Sequence, residues 1–248
     1  MKKNKDIQQI YGYHSVKAAL NNKTRLHKEL FILNKYSNFS KKYQNIVPNI
    51  QILEARDFMK KFGNETVNQG ILLITTKLKH KSLDDYLDCE KNKKNSVIII
   101  LDQVTDPQNI GSIMRSCALF NCGAVIVGKN NSPELTSSLI KAASGAIEKV
   151  EFIKVTNLQR TIKFLKKNNY WIYAMDSGEK NSKIDQLISN KSVFVLGAEG
   201  KGIREIIKKE CDDLLTIPIN KNLDLGIDSL NVSNASSIIL YEYYKKYF

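Results

Sequence analysis

Three short segments in the second half of the chain combine a strand pattern with residues that could do chemistry. Each segment joins an apolar run to glycine, asparagine, serine or one charged residue. A buried strand that ends in such residues places polar groups and closely approachable backbone at the carboxyl edge of a sheet, where open α/β proteins bind ligands. Three such edges predict one composite site. The segments are NIGSIMRSCALF from Asn109, VFVLGAEGKGI from Val193, and LTIPI from Leu215 with SLNVSNA from Ser229.

The first segment couples an amide and a guanidinium to the end of a strand. The strand is expected to end at Asp102, Pro107 blocks its continuation, and Asn109 is expected to cap the next helix, with Arg115 in its second turn. A capped helix with a solvated arginine would explain this spacing if the segment stood alone. Arg115 still stands out, because the chain holds 33 Lys and only 5 Arg.

The second segment is a glycine-rich loop that contains an acid, with Gly197, Gly200 and Gly202 around Glu199. A phosphate-binding loop is a competing reading of such spacing. The chain has no complete G-x-x-x-x-G-K-[ST] element, however, and a carboxylate aimed at the ligand repels phosphate. Glu199 is more stable beside a positive charge, either a cationic ligand or Arg115.

The third segment has two halves. Pro218 is expected to end the strand LTIPI, and Ser229 or Asn231 then opens the last helix and could cap it.

Together the three segments resemble the motifs of the SpoU (TrmH-type) RNA 2′-O-ribose methyltransferases, of the knotted SPOUT superfamily. The resemblance implies that S-adenosylmethionine donates a methyl group to a ribose 2′-hydroxyl, without a metal, and that the enzyme is a homodimer with a site completed across the interface. It also implies particular residues. The catalytic ones are Asn109, Arg115, Glu199, Ser229 and Asn231, and those that bind the cofactor are Gly197, Ile217 and Leu230. The link at 220–228 is longer than the family pattern, which affects the register of Ser229 and Leu230 most.

The N-terminal part favours RNA as the partner. IYGYHSVKAAL (10–20) and VNQGILL (67–73) resemble the RNA-recruiting domain of the family's ribosomal-RNA branch, which methylates a guanosine of 23S rRNA. Residues 1–95 carry 19 Lys and Arg against 9 Asp and Glu, and such clustered cations attract phosphate backbones. A compositional bias toward Lys and Asn is the competing explanation of this charge.

Other functions remain open beside methylation of 23S rRNA. The same chemistry on a tRNA guanosine is the nearest alternative, and a catalytically inactive RNA-binding homologue is a second. A dinucleotide-dependent oxidoreductase is disfavoured, because no G-x-G-x-x-G follows the first strand of either part.

Hydrophobic patterning indicates an α/β protein in three parts. Residues 1–76 alternate short strands and helices, with strands at 29–33, 50–54 and 70–76 and helices that include 40–47. Residues 77–96 form a charged linker with one or two helical turns. Residues 97–248 contain six continuous apolar runs, which predict a parallel six-stranded sheet buried on both faces. A trefoil knot in that sheet comes from the resemblance alone.

Composition disfavours membrane and metal proteins. No apolar run reaches the roughly 18 residues that a membrane span requires, so a cytoplasmic protein is expected. The four cysteines show no C-x-x-C spacing and the three histidines lie in the first third of the chain, which disfavours zinc and a disulfide framework.

Overall fold

The computed structural model describes residues 6–63, 69–131, 133–176, 182–183, 188–220 and 229–248. Contacts divide the chain into two units. Unit 1 comprises Met1–Lys79 with Leu135–Glu148, and unit 2 comprises His80–Glu134 with Lys149–Phe248.

The strands are β1 (Ile7–Tyr11), β2 (His27–Leu33), β3 (Asn49–Leu53), β4 (Ile71–Thr76), β5 (Ser96–Asp102), β6 (Ala124–Gly128), β7 (Glu151–Val155), β8 (Trp171–Met175), β9 (Ser182–Lys183), β10 (Lys191–Gly197) and β11 (Asp213–Thr216). The helices are α1 (Tyr13–Leu20), α2 (Ser37–Lys41), α3 (Ala55–Phe62), α4 (Leu83–Glu90), α5 (Pro107–Leu119), α6 (Ser137–Ala143), α7 (Leu158–Lys167), α8 (Glu205–Lys208) and α9 (Val232–Tyr247).

Unit 1 is built on a four-stranded mixed sheet in the order β1-β4-β2-β3, in which only β2 and β3 run parallel. The three predicted strands are present. Strand β1 was missed, because only Ile10 of its five residues is buried and the apolar signal is weak. The helix predicted over 40–47 is wrong in position, since α2 spans Ser37–Lys41 and turns follow it.

A segment between β6 and β7 belongs to unit 1. Its Glu148 forms a bidentate ion pair with Arg25, at 2.7 and 2.9 Å, and the two side chains are 5% and 0% exposed. Ser15 Oγ donates to the carbonyl of Ile140 at 3.3 Å. The sequence analysis assigned these residues, 135–148, to the C-terminal part, whereas their contacts lie with the N-terminal one.

Unit 2 is built on an all-parallel sheet in the order β7-β6-β5-β10-β8-β11-β9. The six predicted strands are confirmed, and β9 adds two residues at one edge. Every residue of β5 is buried, as expected for a strand covered on both faces. The register aligns Gly197 with Asp102, so the carboxyl ends of β10 and β5 lie side by side.

Two helices of unit 2 contribute buried side chains. The helical turns expected in residues 77–96 form α4, whose Leu83 joins the core of the parallel sheet, so from His80 this part of the chain belongs to unit 2 and is not a separate linker. In α9 the buried face includes Ile239, Leu240 and Tyr243, whereas Ile238 and Tyr244 are 37% and 36% exposed. Across the described ranges, no helix is long and apolar enough to cross a membrane.

Removing the cation of the buried pair in unit 1 should be costly. Arg25→Met leaves the carboxylate of Glu148 buried without its partner, and we expect a loss of about 3 kcal/mol in the stability of unit 1. Hydrogen exchange of the amides of β2 and β4 measures this. Lys60→Met, at an exposed lysine of α3 in the same unit, is the control and should cost less than about 1 kcal/mol. Unchanged exchange in Arg25→Met would show that the pair does not hold unit 1 together.

Candidate active site

The carboxyl ends of β8, β10 and β11 border a cavity of about 360 Å³ in unit 2. Two motifs line it, since the glycine loop follows β10 and the third motif follows β11 and precedes α9. The first motif joins the site through hydrogen bonds between Asn109 and the other two motifs, described below. The predicted residues that line the cavity are Gly197, Glu199, Ile217, Ser229 and Leu230. Most of the 220–228 link lies outside the described residues.

Backbone crowding fixes the shape of the loop after β10. A side chain at Gly197 would place its Cβ 2.1 Å from the carbonyl carbon of Gly202, so only glycine fits. The amide of Gly202 donates to the carbonyl of Ala198 at 2.8 Å and closes the loop. Gly200 and Gly202 have φ of +77° and +66°, in the left-handed region that favours glycine. The loop's own conformation therefore accounts for the glycine spacing. In this conformation the loop from Gly197 to Gly202 lines the cavity.

Three predicted catalytic residues form one hydrogen-bonded ring. Asn231 Nδ2 donates to Asn109 Oδ1 at 3.0 Å and to Glu199 Oε1 at 2.5 Å. Asn109 Nδ2 donates to the same Glu199 oxygen at 3.3 Å. Each motif thus contributes one member to the ring, and the carboxylate of Glu199 fixes the orientation of both amides.

The caps of the two helices at the site differ in part from expectation. Asn231 caps α9, since its Oδ1 accepts from the amide of Ser233 at 2.9 Å. The expectation that Asn109 caps α5 is wrong. Asp106 is the cap, and its carboxylate accepts from the amides of Gln108 and Asn109 at 3.1 and 3.2 Å. Asn109 lies inside the first turn, which leaves its side chain available to the ring.

Arg115 lies apart from the ring. It is exposed on α5, and within the described part of the chain it forms no hydrogen bond or ion pair. The expected pair between Glu199 and Arg115 is therefore wrong for the isolated chain, because Glu199 is held by the two asparagines instead. Leu119, one turn further along α5, is 66% exposed on the same face.

A buried ion pair ties the glycine loop to β5. Asp102 is fully buried at the end of β5, and its carboxylate accepts from the backbone amide of Arg204 at 2.9 Å and from the guanidinium at 2.7 to 3.1 Å. The hydrogen bond that the Arg204 guanidinium donates to Asp102 raises the pKa of Arg204. The end of the loop is thereby anchored beside the strand that precedes the first motif.

The sequence analysis missed two features of this edge. Asp176, after β8, lines the first cavity and forms an ion pair with Lys208 at 2.6 Å. A second cavity of about 220 Å³ lies at the ends of β5, β6 and β7. The sequence does place polar residues directly after these strands, and they could have indicated both features. They were not informative, because polar residues are common in any loop. Among the described residues no cluster of three or more His, Cys, Asp or Glu could hold a metal ion.

Known proteins match this chain over most of its length. The model of the SpoU rRNA Methylase family matches residues 96–241. The 23S rRNA (guanosine-2′-O-)-methyltransferase RlmB of Escherichia coli strain K12 is 32% identical over 244 residues, or 95% of this chain and 97% of that enzyme. The enzyme of the same name from Haemophilus influenzae is 34% identical and covers 95% of this chain and 96% of its own.

Solved structures share the fold. The SpoU methyltransferase AviRb from Streptomyces viridochromogenes, in complex with AdoMet, aligns with a TM-score of 0.78 over 99% of this chain and 94% of its own, at 18% identity. The TrmH/SpoU tRNA modifying enzyme of A. aeolicus aligns with a TM-score of 0.54 at 23% identity, over 66% of this chain and 83% of its own. The family expected from the three motifs is confirmed.

The ring can be tested apart from the helix cap. Asn231→Ser keeps a good N-cap but removes the amide that joins Asn109 to Glu199. We expect methyl transfer to RNA to fall by roughly 10²-fold, because the two remaining groups lose their shared orientation, with little change in thermal stability.

Asn231→Ala is the matched comparison, since it also removes the cap. It should lose a further amount of about 1 kcal/mol in stability. Turnover of Asn231→Ser at the native rate would show that the ring does not orient the catalytic groups.

Proposed function

Because the chain belongs to the SpoU rRNA Methylase family, we propose that it transfers a methyl group from S-adenosylmethionine to the 2′-hydroxyl of a guanosine in 23S rRNA. The observation that carries this proposal is the cavity of about 360 Å³ walled by the glycine loop, beside the ring of Asn109, Glu199 and Asn231. Likeness to the 23S rRNA enzymes over 95% of the chain supports the substrate.

The residues of the first cavity fit S-adenosylmethionine. Its volume falls within the range of small-molecule pockets. Ile217 and Leu230 supply apolar surface for an adenine ring, and the exposed backbone from Gly197 can hydrogen-bond its polar edges. The carboxylate of Glu199 favours a cationic ligand, whereas Asp176 is already paired with Lys208. When bound, the cofactor supplies an electrophilic methyl group on a sulfonium.

The chain's own residues position the ribose. The ring fixes the side chains of Asn109, Glu199 and Asn231 relative to one another, and Ser229 adds a hydroxyl at the cavity wall. In-line displacement needs the attacking oxygen aligned with the methyl carbon, and polar groups fixed in this way support that alignment. Arg115 cannot serve as a base, because a guanidinium keeps its proton near neutral pH. It would bind a phosphate and stabilise the developing alkoxide, and the proton would pass to phosphate or water.

A homodimer explains how Arg115 reaches a reaction centre. Arg115 makes no contact with the ring of its own chain, yet it shares an exposed face of α5 with Leu119. Near this face, Tyr241 on α9 and Phe248 just after it are 50% and 62% exposed, and Phe120, just after α5, packs edge-on against Tyr241. An apolar face of this kind favours association with a second copy. In that dimer Arg115 completes the partner's site.

Unit 1 is assigned to RNA recruitment. Besides its basic excess, it carries an aromatic cluster in which Tyr13 stacks on Tyr36 at 5.7 Å and Lys35 lies over the ring of Tyr36 at 5.1 Å. Partly exposed aromatic rings beside lysine suit unstacked bases and phosphates of single-stranded RNA. The trefoil knot and a cytoplasmic location remain predictions from the family resemblance and the composition.

The alternatives, a tRNA methyltransferase and an inactive RNA-binding homologue, are less well supported. The tRNA modifying enzyme of A. aeolicus aligns with only 66% of this chain, whereas the 23S rRNA enzymes cover 95%. Retention of Asn109, Arg115, Glu199 and Asn231 together argues against an inactive RNA-binding homologue.

Mapping ribose methylation tests the proposed function. Unmodified 23S rRNA and a pool of unmodified tRNA, each incubated with the protein and S-adenosylmethionine, should give one new 2′-O-methylguanosine in the 23S rRNA and none in tRNA. Glu199→Gln serves as the low-activity control. Methylation confined to tRNA would establish the alternative substrate, and methylation of neither RNA would contradict the enzyme assignment.

Arg115→Lys should separate catalysis from cofactor binding. Lysine keeps the charge but loses the planar fork that can engage a phosphate and an oxygen together, so methyl transfer should fall by roughly 10²-fold. Affinity for S-adenosylmethionine, measured by calorimetry, should change little. Arg160→Lys, at an exposed arginine of α7, is the matched control and should change neither methyl transfer nor cofactor affinity. Native turnover of Arg115→Lys would leave Arg115 as a surface residue.

A further inference from the structure

The second cavity of unit 2 has its own lining residues, none of which lines the first cavity. It is lined by residues that follow β5, β6 and β7 and by the start of α8, with a volume of about 220 Å³. We propose that it binds one nucleotide of the RNA substrate, next to the nucleotide that is methylated. This inference rests on the proposed function and deepens it.

Cationic groups at this cavity suit a phosphodiester. Arg204 and Lys129 line it, and the one acid among its lining residues, Asp102, is neutralised by Arg204. Arg204 uses its Nε and one terminal nitrogen on Asp102, and its other terminal nitrogen has no partner within the described ranges. Lys129 is exposed and forms no ion pair among the described residues, so the cavity has a net positive charge.

Amide and apolar side chains suit a base. Gln103, Asn130 and Asn157 line the cavity and can donate to and accept from the edges of a nucleobase. Ile206, 54% exposed at the same cavity, offers a flat apolar surface for the ring. Gln103 has a φ of +62°, a left-handed conformation that costs a non-glycine residue energy and is concentrated at ligand sites.

The connection after β10 links this cavity to the proposed cofactor site. Residues Gly197–Gly202 line the first cavity, and Arg204 and Ile206 line the second. Both cavities open at the carboxyl ends of adjacent strands, since Gly197 pairs with Asp102 in register. An RNA strand with its target ribose at the first cavity therefore reaches the second within the same bound segment.

The test compares two exposed lysines of unit 2. Lys129→Ala removes a cation from the cavity, while Lys167→Ala removes one from the opposite end of α7. Both variants spare the Asp102–Arg204 pair. The probe is the unmodified 23S rRNA transcript that the wild-type protein methylates, with the KM for RNA measured at several salt concentrations. Lys129→Ala should raise this KM about 5- to 10-fold near 0.1 M salt and reduce the slope of log affinity against log salt by about one.

A second variant tests the base surface. Ile206→Glu changes an exposed side chain and places a carboxylate at the cavity, so the KM for RNA should rise further while calorimetric affinity for S-adenosylmethionine is retained. The proposal is overturned if Lys129→Ala matches Lys167→Ala, or if cofactor affinity falls as much as RNA affinity. A wild-type protein that methylates no RNA would instead contradict the proposed function, which keeps the two failures distinct.

Discussion

The interaction on which both cavities depend is the pair between the buried carboxylate of Asp102 and Arg204. The carboxylate accepts from the backbone amide and the guanidinium of Arg204, and so anchors the end of the loop after β10 beside the end of β5. A carboxylate that is fully buried is stable only with such partners. With both of its ends fixed, at Gly197 by crowding and at Arg204 by the ion pair, the loop presents one side to the first cavity and its continuation to the second.

The ring of Asn109, Glu199 and Asn231 connects that loop to the two helices of the site. Asn231 uses its oxygen to cap α9 and its nitrogen to hold the other two residues, so the stability of the helix and the geometry of the site share one side chain. Ser116 and Ser237 join α5 to α9 further along, with 2.7 Å between their hydroxyls. The groups that would position a ribose therefore lie on a rigid frame.

Patterns of local origin were predictable from the sequence. Continuous apolar runs such as that of β5 predicted the parallel sheet, and residue types at strand ends predicted a composite site, several of whose residues line the first cavity. The cap of α5 was misassigned between two good caps, Asp106 and Asn109, although Pro107 favours the first helical position and so marks Asp106 as the cap. Long-range pairing also escaped the analysis, because Arg25 and Glu148 are 123 residues apart and neither lies in an informative pattern.

The central claim is that the glycine loop, anchored at its far end by Asp102, and the third motif wall one cofactor cavity. A crystal structure with S-adenosylhomocysteine, the molecule that S-adenosylmethionine becomes after it loses its methyl group, tests this most directly. The account predicts density for the ligand between the Gly197 loop and the residues Ile217 and Leu230, with the asparagine and glutamate ring intact beside it. Ligand density in the second cavity, or a ring that is broken in the complex, would contradict the account.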